Sequence, residues 1–69
     1  MNPVEQDILN RKNEIIAEVN GIFKLNMKIT DWDVPEADDT LAGRMIIEIM
    51  QEALDELKAK VETGAFRDY

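Results

Sequence analysis

The sequence contains no cysteine and no histidine among its 69 residues. Without cysteine the chain cannot form disulfides or thiolate metal sites, and without histidine the usual zinc ligands are also missing. A chain of about 60 residues buries only about 60% of the surface that its unfolded form exposes, so small domains usually need disulfides, a metal or a partner. We therefore expect stabilisation by association, most simply as a homodimer.

Long apolar runs and signal-peptide features are also missing. No stretch approaches the roughly 18 apolar residues of a membrane-spanning helix, and the start of the chain has no charged segment followed by an apolar one. We expect a cytoplasmic protein that does not contact membranes.

Bases are scarce as well, since fifteen acidic residues face eight basic ones and the net charge is -7. Such a charge repels nucleic-acid phosphates, so direct nucleic-acid binding is not expected, and a basic protein is the better candidate partner. A net charge of this size is also common in small domains as a solubilising feature.

The first part of the chain carries a helix start signal. Asn2 can cap a helix, Pro3 suits its first position, and Glu5 follows three residues after the cap. Apolar residues then recur at helical spacing: Val4, Ile8, Ile15, Val19 and Ile22. The pair Asn20-Gly21 is a plausible end of this helix, because glycine accepts the left-handed cap conformation.

The segment at about 22–30 allows two interpretations. Apolar Phe23, Leu25, Met27 and Ile29 alternate with polar residues, which is typical of a half-buried strand. The same segment also continues the helical stripe, and the first helix then extends to about Lys28 if Gly21 is tolerated within it. The alternation slightly favours a short extended or strand segment.

An acidic connector follows, from Asp31 to Asp39, with five acids and no bases. Pro35 excludes a central strand, and Asp38, Asp39 or Thr40 can cap the next helix. That second helix is predicted from about Thr40 to Glu62, with Gly64 as its stop signal. Its apolar band is broader than a surface helix requires, which indicates contact on two sides.

The acidic connector is the main candidate site. Its acids and its tryptophan are the residues we assign to partner binding: Asp31, Trp32, Asp33, Glu36, Asp38 and Asp39. Tryptophan is enriched among interface anchors, and flanking carboxylates suit a basic rim on a partner. The alternative is that Trp32 folds over the open end of a helical hairpin as part of the core.

The same segment fails as a calcium loop. Asp31 and Asp33 have the right spacing, but Glu36 stands where an EF-hand needs glycine, and Ala42 stands where it needs a bidentate glutamate. We therefore expect no metal site and no cofactor.

Two resemblances define alternative functions. The spacing Glu52-x-x-Asp55 resembles that of the helical nucleotide pyrophosphohydrolases of the MazG type, which implies a magnesium-dependent enzyme with Glu14 and Glu18 as the facing carboxylates. The chain is short for that family and lacks basic motifs around these acids. The alternating segment 23–30 resembles the ribbon of ribbon-helix-helix repressors, which implies a DNA-binding dimer. Only one clear helix follows it here, and five acids come directly after it.

The sequence as a whole predicts a mostly α fold in one small helical domain, residues 1–69. Two amphipathic helices pack as a hairpin that dimerises into a four-helix arrangement. The function predicted is a non-enzymatic protein-interaction module, an inhibitor or adaptor for a basic protein surface, with nucleic-acid mimicry as its most specific form. The residues assigned to the dimer interface all lie on the second helix: Met45, Ile46, Ile49, Met50, Ala53 and Leu57.

Overall fold

The computed structural model of the chain describes residues 2–36 and 38–65. These residues form three α-helices, α1 (Pro3–Asn10), α2 (Lys12–Asp33) and α3 (Asp39–Glu62). No strand occurs in this part of the chain. The prediction of a mostly α fold is confirmed, but the helices number three rather than two.

The start of α1 follows the predicted capping pattern. The backbone N–H of Glu5 donates a 2.8 Å hydrogen bond to Oδ1 of Asn2, and Pro3 occupies the first turn. The Asn2 side chain also donates to the Glu5 carboxylate at 3.1 Å. Asn2 and Glu5 therefore satisfy polar groups that a helix start otherwise leaves without partners.

The division between α1 and α2 falls at Arg11, which the sequence analysis did not anticipate. Arg11 has φ -103° and ψ 8°, outside the helical values. Its N–H is shared between the carbonyl oxygens of Asp7 at 3.2 Å and Ile8 at 3.1 Å. Such sharing tightens the last turn of a helix. Neither glycine nor proline marks this position, so the sequence pattern gave no signal for the break.

The prediction of a strand at about 22–30 is wrong, because α2 runs from Lys12 to Asp33 without interruption. Gly21 lies inside this helix and does not end it. A central glycine costs a helix only about 1 kcal/mol relative to alanine. The helical stripe prevails over the alternation because it places Phe23 and Met27 together against α3, where they are half-buried.

The contact between α2 and α3 centres on Gly43, which is the one buried residue of the described chain. A Cβ atom on Gly43 would lie 3.5 Å from Cζ of Phe23 and 3.8 Å from Sδ of Met27. The absence of a side chain on Gly43 lets these two large residues lie directly against the α3 backbone. The half-buried residues around this contact are Asn26 and Thr30 of α2 and Ala42, Ile46 and Met50 of α3.

Both ends of α3 agree with the sequence prediction. Oδ1 of Asp38 accepts hydrogen bonds from the N–H groups of Thr40 at 3.0 Å and Leu41 at 3.2 Å. At the other end Gly64 has φ 81°, and the N–H of Ala65 donates to the carbonyl of Lys60 at 2.9 Å. This bond across six residues is the glycine-dependent cap that closes many helices.

The described part of the chain forms no sealed core. Within the described residues no hydrophobic side chain is buried, and eighteen large ones are at least 40% exposed. The accessible surface is 6340 Å², whereas a compact chain of this mass exposes about 4,400 Å². The radius of gyration is 15.9 Å, against about 11 Å for a compact domain of this length. The structure therefore leaves about 1,900 Å² of surface above that of a compact monomer.

None of the helices over the described residues combines the length and the apolar character that crossing a membrane requires.

Candidate interaction surface

The acids assigned to partner binding gather where α2 ends and α3 begins. We call this region the acidic turn and define it by Asp31, Trp32, Asp33, Glu36, Asp38 and Asp39. The predicted connector was too long at both ends, because Asp31 to Asp33 form the last turn of α2 and Asp39 is the first residue of α3. Only residues 34–38 separate the two helices.

Trp32, at 86%, is the most exposed of the large hydrophobic residues within 2–36 and 38–65. It lines a shallow depression together with Lys28, Ile29 and Asp33, all of α2. The alternative in which Trp32 folds over the end of the helices as core is therefore wrong for this structure. An indole ring held in solvent between two carboxylates is available to a partner.

Asp31 and Asp39 face each other across the turn. A hydrogen bond with the Asp39 carboxyl group raises the pKa of Asp31, and desolvation and the like charge of Asp39 act in the same direction. The carboxylate of Asp31 also lies in the last turn of α2, where the helix dipole disfavours negative charge. The two helices therefore approach each other here in spite of unfavourable electrostatics.

Among residues 2–36 and 38–65 no base forms an ion pair with the acidic turn, although Lys28 lines one depression with Trp32 and Asp33 and another with Asp31. The ion pair found in this part of the chain joins Arg11 to Asp7, with the nitrogen and oxygen 3.3 Å apart. Arg11 precedes Asp31 by twenty residues, which is about 30 Å along a helix. The side chains of Asp33 and Glu36 are exposed and make no ion pair among the described residues. The acidic turn therefore presents its charge to solvent.

The residues assigned to a dimer interface on α3 fall into two groups. Ile46 and Met50 are half-buried on the side that contacts α2. The others remain exposed, at 52% for Met45, 64% for Ile49 and 46% for Leu57, and Ala53 is exposed as well. The α2–α3 contact thus uses part of the predicted interface and leaves part of it free.

The carboxylates named for a magnesium site are not assembled into one. Among the described residues no three acidic side chains come close enough together to hold a metal ion. Asp55 instead accepts a 2.9 Å hydrogen bond from the side chain of Gln51. The ribbon of a DNA-binding dimer is also missing its strand, because residues 23–30 lie within α2.

Comparison with known proteins adds no constraint. No protein-family model, no curated protein and no solved structure matches this chain. The argument about function therefore depends on the site itself.

The structure joins three residues that the sequence pattern divided between a helical stripe, with Ile15 and Ile22, and an alternating segment, with Ile29. Ile15, Ile22 and Ile29 recur at every seventh position of α2, and they are 40%, 52% and 48% exposed. They lie about 80–120° around the helix from Phe23, since each residue adds about 100°. The interval of seven was visible for Ile15 and Ile22, but the interpretation of 22–30 as a strand separated Ile29 from them.

Proposed function

We propose that this protein is a non-enzymatic interaction module, an inhibitor or adaptor that binds a basic protein surface through its acidic turn. The observation that carries the proposal is the 86% exposure of Trp32 between Asp31 and Asp33. Exposed single hydrophobic residues are ordinary, but a tryptophan with an acidic residue on either side in the sequence combines an anchor with a charge that selects its partner.

The two parts of the turn have different roles in this proposal. The acids attract the basic partner and raise the rate of association, an effect that salt weakens. Trp32 supplies the short-range affinity, because tryptophans at the centre of an interface commonly cost 2 kcal/mol or more when truncated to alanine. In its most specific form the module imitates the charge of a nucleic acid and occupies a basic cleft.

The scaffold proposed for the acidic turn is a helical hairpin of α2 and α3 that dimerises into a four-helix arrangement. The hairpin is supported by contacts that run in reverse order along the two helices. Asp31 approaches Asp39, Phe23 lies against Gly43, and the groove lined by Val19 extends to Leu54. The exposed apolar residues of α3, Met45, Ile49, Ala53 and Leu57, support a further partner surface.

The proposal is tested by affinity capture with matched charge variants. Wild-type protein, Trp32→Ala and the triple variant Asp31→Asn, Asp33→Asn, Glu36→Gln are immobilised and exposed to a lysate of the source cells. The control triple variant Glu48→Gln, Glu52→Gln, Glu56→Gln removes the same charge from α3. The captured protein is then purified and titrated at two salt concentrations.

We expect a basic protein that binds the wild type and the α3 control but neither variant of the acidic turn. Its affinity should fall as salt rises, because the attraction is between charges near the surface. Equal binding to all four proteins, or a captured partner without a basic surface, would contradict the proposed function.

A further inference from the structure

The exposed isoleucines of α2 form the centre of a symmetrical pattern. Ile15 and Ile29 lie seven residues before and after Ile22, and Val19 and Leu25 lie three residues before and after it. All five side chains are between 40% and 57% exposed. We call this set the isoleucine strip. If a second copy of α2 is turned end to end about Ile22, each apolar position of the strip lies opposite another apolar position.

One pair of charges at the two ends of the strip follows the same symmetry with opposite signs. Arg11 lies eleven residues before Ile22, and Asp33 lies eleven residues after it. Both positions continue the line of the strip, because Arg11 precedes Ile15 by four residues and Asp33 follows Ile29 by four. A reversed copy of α2 would therefore place the base of one chain beside the acid of the other.

From this pattern we infer that a second copy of the chain covers the isoleucine strip, with the two α2 helices antiparallel and the two-fold axis at Ile22. In such an isologous contact Ile15 of each chain meets Ile29 of the other. Arg11 of each chain then approaches Asp33 of the other, in addition to or in exchange for its own exposed Asp7. In the dimer Asp33 therefore belongs to the contact between the copies, and Asp31 and Glu36 remain for the basic partner. A parallel pairing would instead bring Arg11 against Arg11 and Asp33 against Asp33.

The available surface is sufficient for this occupant. The entire chain, of which the strip is one part, exposes about 1,900 Å² more than a compact monomer of its mass, and a stable interface of ordinary size takes about 800 Å² from each partner. Binding of a single unrelated partner would not require the apolar positions of the strip to be symmetrical about Ile22.

This inference rests on the proposed self-association and assigns it a face and a direction. The interface residues proposed above lie on α3, whereas the isoleucine strip lies on α2. The two assignments can therefore fail separately, and the experiment below distinguishes them.

The test uses single cysteine variants, which are unambiguous because the chain has no cysteine of its own. Three variants are oxidised one at a time: Ile22→Cys, Ile15→Cys and Ile29→Cys. An equal mixture of Ile15→Cys and Ile29→Cys is oxidised as well. A disulfide forms only when two Cα atoms lie within about 7 Å. The control is Lys24→Cys, which lies about 200° around the helix from Ile22.

We expect Ile22→Cys to form a covalent dimer alone, and the mixture of Ile15→Cys with Ile29→Cys to form the mixed dimer. Ile15→Cys alone, Ile29→Cys alone and Lys24→Cys should remain uncrosslinked. Crosslinking of all three strip variants by themselves would overturn the antiparallel direction. A protein that sediments as a dimer while no strip variant crosslinks would overturn the α2 face and leave the proposed self-association standing.

A second variant keeps the inference testable without oxidation. Ile22→Glu places two like charges on the two-fold axis, and it should convert the sedimenting dimer to a monomer at tens of micromolar. Because Ile22 is exposed in the single chain, the helical signal in circular dichroism should persist. Lys24→Glu, with a larger charge change on the opposite face, should leave the dimer intact. Dimeric Ile22→Glu would overturn the inference.

Discussion

A substitution at Gly21 tests directly whether α2 is one continuous helix. A Cβ atom at this position would meet nothing within 4 Å, and the backbone does not have the positive φ that favours glycine. Alanine therefore gains the full difference in helix propensity, about 1 kcal/mol, with no steric cost. We expect Gly21→Ala to raise the free energy of unfolding by that amount, which is about 4–8 °C in Tm for a chain of this size.

The assay is urea and thermal unfolding followed by circular dichroism at fixed protein concentration, because any dimer makes Tm depend on concentration. Gly64→Ala is the matched control. Gly64 has φ 81°, where an alanine side chain costs about 1 kcal/mol. The same substitution should therefore stabilise the protein at residue 21 and destabilise it at residue 64.

The opposite result at Gly21 would refute the continuous helix. If the first helix ended at Gly21 in a left-handed cap, with a strand after it, Gly21→Ala would lower the stability as Gly64→Ala does. A change of less than a few tenths of a kcal/mol would mean that this part of α2 is not formed in solution, because helix propensity acts only on a formed helix.

Two further predictions concern the acidic turn. Asp38→Ala should lower the free energy of unfolding by about 1 kcal/mol, because the N–H groups of Thr40 and Leu41 lose their acceptor. Asp38→Asn should retain most of this unfolding free energy. Equal losses of unfolding free energy for the two variants in urea would contradict the capping role. Asp31→Asn should stabilise the protein at pH 7. The folded-state pKa of Asp31 is raised, so its stabilising contribution exists below its ordinary pKa and is lost as pH rises through the folded value. The advantage of the variant in urea unfolding should shrink as pH falls towards 4, and a variant less stable than wild type at pH 7 would be the contrary outcome.

An antiparallel dimer that carries two acidic turns would act as a bivalent protein. In an antiparallel pair the two acidic turns lie at opposite ends, because each turn follows the end of α2. Such a dimer would present one Trp32 at each end and could bridge two basic surfaces. Bivalent binding raises the apparent affinity when both surfaces belong to one assembly.

The sequence by itself determined the elements that depend on local chemistry. The Asn2 and Asp38 caps, the glycine stop at Gly64 and the extent of α3 follow from side chains that bond to backbone groups a few residues away. Capping is a local interaction, so its sequence signature carries over directly into structure. The acidic character of the turn is likewise visible in the sequence.

Tertiary structure decided the features that depend on distant residues. Residues 22–30 fit both a strand pattern and a helix pattern. In the structure they are helical, and this part of α2 contacts Gly43, about twenty residues later in the chain. Trp32 could have been core or surface, and its exposure followed only from where α2 ends. The isoleucine strip became visible only once Gly21 lay inside the helix. Periodicity identifies an apolar face, but the neighbouring helix determines which part of that face remains free for a partner.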